Sequence, residues 1–117
     1  MTRISEEDRN LFEKSIFLPM VLTILNRDID VIKNSPFKLR KPYIALVDAS
    51  MKRVQKDIYR NNQQMNQKKM KLVEVGRDEA FTQFLFVIDR WEEQHNYFNP
   101  RIRNEVQQLL QKYLLRE

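Results

Sequence analysis

Apolar residues recur through the first third of the chain at intervals of three and four. Leu11, Leu18, Leu22, Leu25, Ile29 and Ile32 hold the pattern, and Ser15 fills the vacant slot. That spacing makes one apolar stripe on an α-helix. Ile16, Phe17, Met20, Val21 and Ile24 widen the stripe almost all the way round, which predicts a helix at the centre of the core. Its start is marked by Ser5 with Asp8 three residues on, in the manner of a capping box. Glu6, Glu7 and Asp8 put negative charge in the first turn, where the helix dipole favours it. Pro19 removes one hydrogen bond and crowds the carbonyl four residues back. The stripe keeps its phase across Pro19, so one kinked helix is expected rather than two. Asn34-Ser35-Pro36 ends it.

Residues 34–41 form a basic connector with Lys38, Arg40 and Lys41, and Pro42 suits the first turn of the next helix. Ile44, Val47, Met51, Val54 and Ile58 again alternate by three and four, and Asn61 and Met65 continue the register. This heptad-like seam predicts a long central helix. The seam outlasts what a small bundle needs, which leaves Ile58 to Met65 for a partner helix. Residues 61–69 are rich in Asn, Gln and Lys and fit either a solvated helical extension or a loop.

Met70 to Val75 is briefly strand-like and stops at Gly76, so a minor hairpin near residues 70–75 is the one non-helical element expected. A third helix is predicted from Asp78, as its cap, to His95. Phe81, Phe84, Ile88 and Trp91 make its stripe, broadened by Leu85, Phe86 and Val87. Asn99-Pro100 announces the last helix, whose stripe is Ile102, Val106, Leu109, Leu110, Tyr113 and Leu114.

Composition turns these elements into a fold class. The chain has 117 residues, a size for a single helical domain over 1–117 that folds without staples. One glycine in the whole chain disfavours tight hairpins and Gly-rich phosphate loops. The expected architecture is all-α, an antiparallel bundle of about four helices around the long central one. The absence of cysteine excludes disulfides and thiol chemistry and fits a reducing compartment. The N-terminus lacks the basic-then-apolar pattern of a signal peptide. The most apolar run, Ile16 to Leu25, is ten residues long and too short to span a bilayer. A cytoplasmic protein is expected.

Charge changes the picture further. Residues 36–71 carry ten Lys/Arg against Asp48 and Asp57, whereas the segments on either side are each slightly acidic. On the central helix Lys52, Arg53, Lys56 and Arg60 lie opposite the seam, and Arg53, Lys56 and Arg60 share one outer stripe. Lys68, Lys69 and Lys71 extend it if the helix continues. Such a face could neutralise phosphates and release counterions, or it could be an ordinary solvated helix back. Binding to anionic lipid is set aside because the helix's apolar seam is needed by the core.

Catalytic constellations do not assemble on the chain. Glu92 and His95 have a Glu-x-x-His spacing, but a di-iron bundle site needs two such motifs, and His95 is the only histidine. Asp89, Glu92 and Glu93 would share one exposed helix face rather than flank a cleft. No nucleophile elbow, P-loop or dinucleotide fingerprint is present. Trp91, Tyr97 and Phe98 cluster near the end of the third helix and fit the cap of a small core. The expectation is therefore a non-enzymatic helical adaptor or regulatory protein acting through protein–protein contacts, with a protein partner or a second copy of itself. Ile58 and Met65 would form the partner-helix seam. The alternative is a nucleic-acid-binding accessory protein using Lys52, Arg53, Lys56, Arg60, Lys68 and Lys69. No cofactor, metal, membrane or small-molecule substrate is indicated.

Overall fold

The computed structural model describes residues 4–116. Helix α1 (Glu6–Lys33) and helix α2 (Lys41–Gln67) are followed by strands β1 (Met70–Arg77), β2 (Phe81–Ile88) and β3 (Trp91–Phe98), and helix α3 (Asn99–Leu115) closes the chain. The three strands form an antiparallel meander in the order β1-β2-β3. The fold is therefore α+β. The expected all-α bundle is wrong at residues 70–98, where the hairpin is a full sheet and the third helix is two strands.

Helix α1 starts as the sequence predicts, with the Asp8 N–H donating to Ser5 Oγ at 3.1 Å. It runs unbroken through Pro19. Leu11, Phe12, Ile16, Phe17, Leu18, Val21, Leu25 and Ile29 are buried along it. Helix α2 packs on one flank through Val47, Ser50, Val54, Asn61 and Met65. Asn61 Nδ2 donates to the Leu11 carbonyl at 3.0 Å, across the pair of helices. The polar stretch after Arg60 is helical to Gln67, and Lys69 then turns the chain into β1 with a φ of 56°.

The sheet covers another side of α1. Thr82, Phe84 and Phe86 of β2 and Tyr97 of β3 are buried against the helices. Phe12 stacks on Phe86 at 4.3 Å, and Phe86 stacks in turn on His95 at 4.1 Å. Phe17 meets Tyr97 edge-on, and the Tyr97 hydroxyl donates to Glu13 Oε2 at 2.8 Å. Helix α3 adds Ile102 and Val106 to the same core.

Both hairpin turns form without glycine. Asp89 takes a φ of 55° between β2 and β3, a conformation that Asp tolerates better than most residues. Asp78 accepts from the backbone N–H groups of Ala80 and Phe81 at 2.8 and 2.7 Å, so the expected helix cap is instead the side chain that folds the β1–β2 turn. These two bonds hold its carboxyl below the ordinary carboxylate range, the one to Phe81 most of all. The single glycine, Gly76, sits at the bulge in β1, where the register shifts between Glu74 and Gly76.

Phe86 is fully buried between Phe12 and His95. Phe86→Ala is expected to cost about 3–5 kcal/mol. Urea denaturation checks this: a loss below about 1 kcal/mol would mean that the stack does not anchor the sheet.

Candidate interaction surface

The basic residues of the central segment do not form one free face. Lys52 pairs with Asp48 at 3.2 Å on the exposed surface of α2. Arg53 turns toward α3, where its Nη2 donates to the Tyr113 carbonyl at 2.6 Å and to Ser50 Oγ at 3.1 Å. Tyr113 lies in the last turn of α3, whose carbonyls have no partner within the helix and form the negative end of its dipole. Arg53 is thus a tether between two helices. Lys68 pairs with Asp8 at 2.7 Å and Glu7 at 3.5 Å at the start of α1, and the Asp8 hydrogen bond leads in raising its pKa. Lys56 and Arg60 are exposed on α2, and Lys69 is exposed where α2 ends.

The seam is used at home. Met65 is buried in the core and Ile58 packs against it, so neither is left for a partner helix. The residues weighed for chemistry are scattered by the strands. Glu92 is exposed on one face of β3, and Glu93, Trp91, His95 and Tyr97 lie on the other. A three-residue spacing shares a face on a helix but opposes faces on a strand. His95 Nε2 lies 2.6 Å from Glu93 Oε1, and Asp89 belongs to the turn.

What the helical reading missed is the outer face of the sheet. In an antiparallel sheet, cross-strand partners point to the same side. Lys71, Val87 and Glu92 form one such row, Val73, Leu85 and Gln94 the next, then Gly76, Gln83 and Asn96, and Phe81 with Phe98 close the face. The Phe81 and Phe98 rings lie 5.4 Å apart, and both side chains are exposed. No helix covers this side among the described residues. Along β2 it presents Val87 and Leu85, then Gln83, then Phe81, with Lys71 at one edge and Glu92 at the other. The β-branched and aromatic run Phe81 to Ile88 and the polar Asp89-Arg90 pair were the available signals.

Two tyrosines bind the elements behind this face. Burial pushes the phenols of Tyr97 and Tyr113 well above their ordinary value. Their hydrogen bonds to Glu13 and to Asp57 (2.5 Å from the Tyr113 hydroxyl) add to the effect.

Comparison with known proteins adds a family. The model of the YhjD protein family matches residues 3–117. A Bacillus subtilis (strain 168) relative, Uncharacterized protein YhjD, is 46% identical over 114 residues, which cover 97% of this chain and 95% of the relative. No solved structure matches the chain.

The placements of Arg53 and Lys56 predict opposite outcomes. Arg53→Gln should lose about 1.5–3 kcal/mol, the range for hydrogen bonds from a charged donor. Lys56→Gln should stay within about 0.5 kcal/mol. Equal effects in urea denaturation would show that Arg53 is merely a surface charge. The tyrosines predict a pH limit. Their folded-state values lie above the unfolded one, so their contribution is complete at neutral pH and lost as pH rises past about 10. Tyr97→Phe with Tyr113→Phe should flatten this alkaline loss of stability; an unchanged alkaline profile would assign it to other groups.

Proposed function

The chain belongs to the YhjD protein family, and from the surfaces just described we propose that it is a non-enzymatic adaptor or regulatory protein of the cytoplasm, working through protein–protein contacts. Its contact surface is the outer face of the sheet, and its first partner is a second copy of the chain. The observation that carries this reading is the row Lys71–Val87–Glu92. A two-fold axis laid along β2 exchanges the β1 and β3 edges across the stack. Lys71 then faces the partner's Glu92, and Glu92 faces the partner's Lys71. Val87 meets Val87 and Leu85 meets Leu85 near the axis. Such an interface is isologous and closes on itself, and sheets stacked face to face sit roughly 10 Å apart. Three short strands give a contact at the small end of specific interfaces, so the association is concentration-dependent.

The non-enzymatic reading is supported by the dispersal of the titratable groups. Glu92 and Glu93 point to opposite sides, and Asp57, Glu13, Asp8 and Asp48 are engaged with Tyr113, Tyr97, Lys68 and Lys52. No helix among the described residues is long and apolar enough to cross a membrane. The phosphate-binding alternative loses Arg53 and Lys68 to internal partners and rests on fewer charges than the sequence suggested.

Sedimentation across a concentration series tests the proposal. The mass should rise from monomer toward dimer, and Leu85→Lys should hold it at monomer. Lys71→Glu and Glu92→Lys should each weaken the dimer, and the double exchange should restore it. A monomeric mass up to the highest soluble concentration rejects the reading. A dimer indifferent to Leu85→Lys places the interface elsewhere.

A further inference from the structure

A second exposed apolar cluster lies at the opposite kind of feature, the tip of the α1–α2 hairpin. Five of the ten exposed large hydrophobic residues among those described fall between residues 31 and 46: Val31, Phe37, Leu39, Tyr43 and Leu46. Leu39 is 74% exposed and Val31 60%. Lys33, Lys38, Arg40 and Lys41 stand among them, and no acidic residue occurs between Asp30 and Asp48. Each α-helix rises about 1.5 Å per residue, so Val31 and Leu46 lie within about two turns of the connector.

The connector is built rather than loose. Ser35 Oγ donates to the Ile32 carbonyl at 2.6 Å, and Asn34 Nδ2 donates to the Asp30 carbonyl at 2.8 Å. Arg40 Nη1 donates to the carbonyls of Lys33 and Ser35, both at 3.2 Å. Phe37 and Tyr43 lie against each other with ring centroids 5.1 Å apart. These internal bonds close the end of α1 and leave the apolar side chains outside.

We propose that this hairpin tip docks on an anionic lipid surface, with Phe37, Leu39 and Tyr43 entering the headgroup layer and Lys33, Lys38 and Lys41 lying against acidic headgroups. Two properties favour lipid over an acidic protein. The tip is two helices wide, roughly 20 Å across, which offers far less area than a specific protein interface. A bilayer needs only a few inserted side chains and a basic rim. An aromatic ring with a polar end, as in Tyr43, suits the headgroup level. The objection that α2's seam is consumed by the core does not reach this tip, which uses the connector and the first turns of α2.

Flotation of the full chain with vesicles tests the proposal. Vesicles of equal parts phosphatidylglycerol and phosphatidylcholine should carry the protein at low salt, and pure phosphatidylcholine should not. Lys38→Ala and Lys41→Ala should each raise the half-saturating lipid concentration about fivefold, and Leu39→Glu should abolish flotation while circular dichroism stays unchanged. The chain has no cysteine, so Leu39→Cys carries a single environment-sensitive dye, whose emission should shift to the blue on the anionic vesicles. The same dye at Lys56→Cys should not shift. Absence of flotation with anionic vesicles overturns the proposal. Flotation with an unshifted tip dye overturns it too, by assigning binding to another surface. Binding to poly-glutamate without binding to vesicles would give the tip to an acidic protein partner instead.

Discussion

A helix that is apolar on nearly every side has to be covered on nearly every side, and α1 is such a helix. Its eight buried hydrophobic residues reach three different neighbours. Helix α2 takes one flank through Val47, Val54 and Met65, the sheet takes another through Phe84, Phe86 and Tyr97, and α3 contributes Ile102 and Val106. Each Leu, Ile or Phe so enclosed stabilises the fold by about 1.5–3 kcal/mol relative to exposure. The demand for cover explains why the chain does not stop at a two-helix hairpin. It also explains why one sheet face is filled while the other stays open: α1 needs only one layer on that side.

The helical parts of this arrangement were legible because their period is unmixed. Ser5, the α1 stripe, the α2 seam and Pro42 stand where the sequence puts them, α3 starts one residue early with Phe98 rather than Asn99 as its cap, and α1 is the centre of the core. The sheet was illegible for a definite reason. On β2 the inward set Thr82, Phe84, Phe86 and Ile88 alternates with an outward set that is apolar at every position but Gln83, namely Phe81, Leu85 and Val87. A period of two vanishes when both phases are hydrophobic, and a spurious helical stripe can be drawn through what remains. On β3 the inward positions include Glu93 and His95, which blurs the alternation from the opposite direction. The scarcity of glycine misled as well, because Asp89 and Lys69 take the left-handed conformations that glycine was expected to supply. The same outward set that hid the strands lies on the face that no helix covers among the described residues.

The basic middle third divides by use in the same way. Arg53, Lys68 and Arg40 are occupied with carbonyls and carboxylates of the protein itself, at the ends of α3 and α1. The helix dipole makes these ends natural places for such pairing. Composition counts these charges together with Lys38 and Lys41, which stand beside the exposed Phe37, Leu39 and Tyr43 of the connector and the first turn of α2. A net charge read along the chain therefore overstates what any one surface can offer a polyanion.

Asn61 has a further consequence, for alignment. A seam of Ile, Val and Met recurring by sevens has no inherent register: slid by one heptad along α1, it would still present apolar side chains to apolar side chains. The amide of Asn61 distinguishes the alternatives. In the observed alignment its Nδ2 reaches the Leu11 carbonyl, while its Oδ1 is buried with no partner among the described residues. A slide by one heptad in either direction would carry the amide away from the Leu11 carbonyl and set it beside Ile4 or Leu18. A lone buried Asn in such a seam costs some stability, and marking one register is the best-attested use of such a residue.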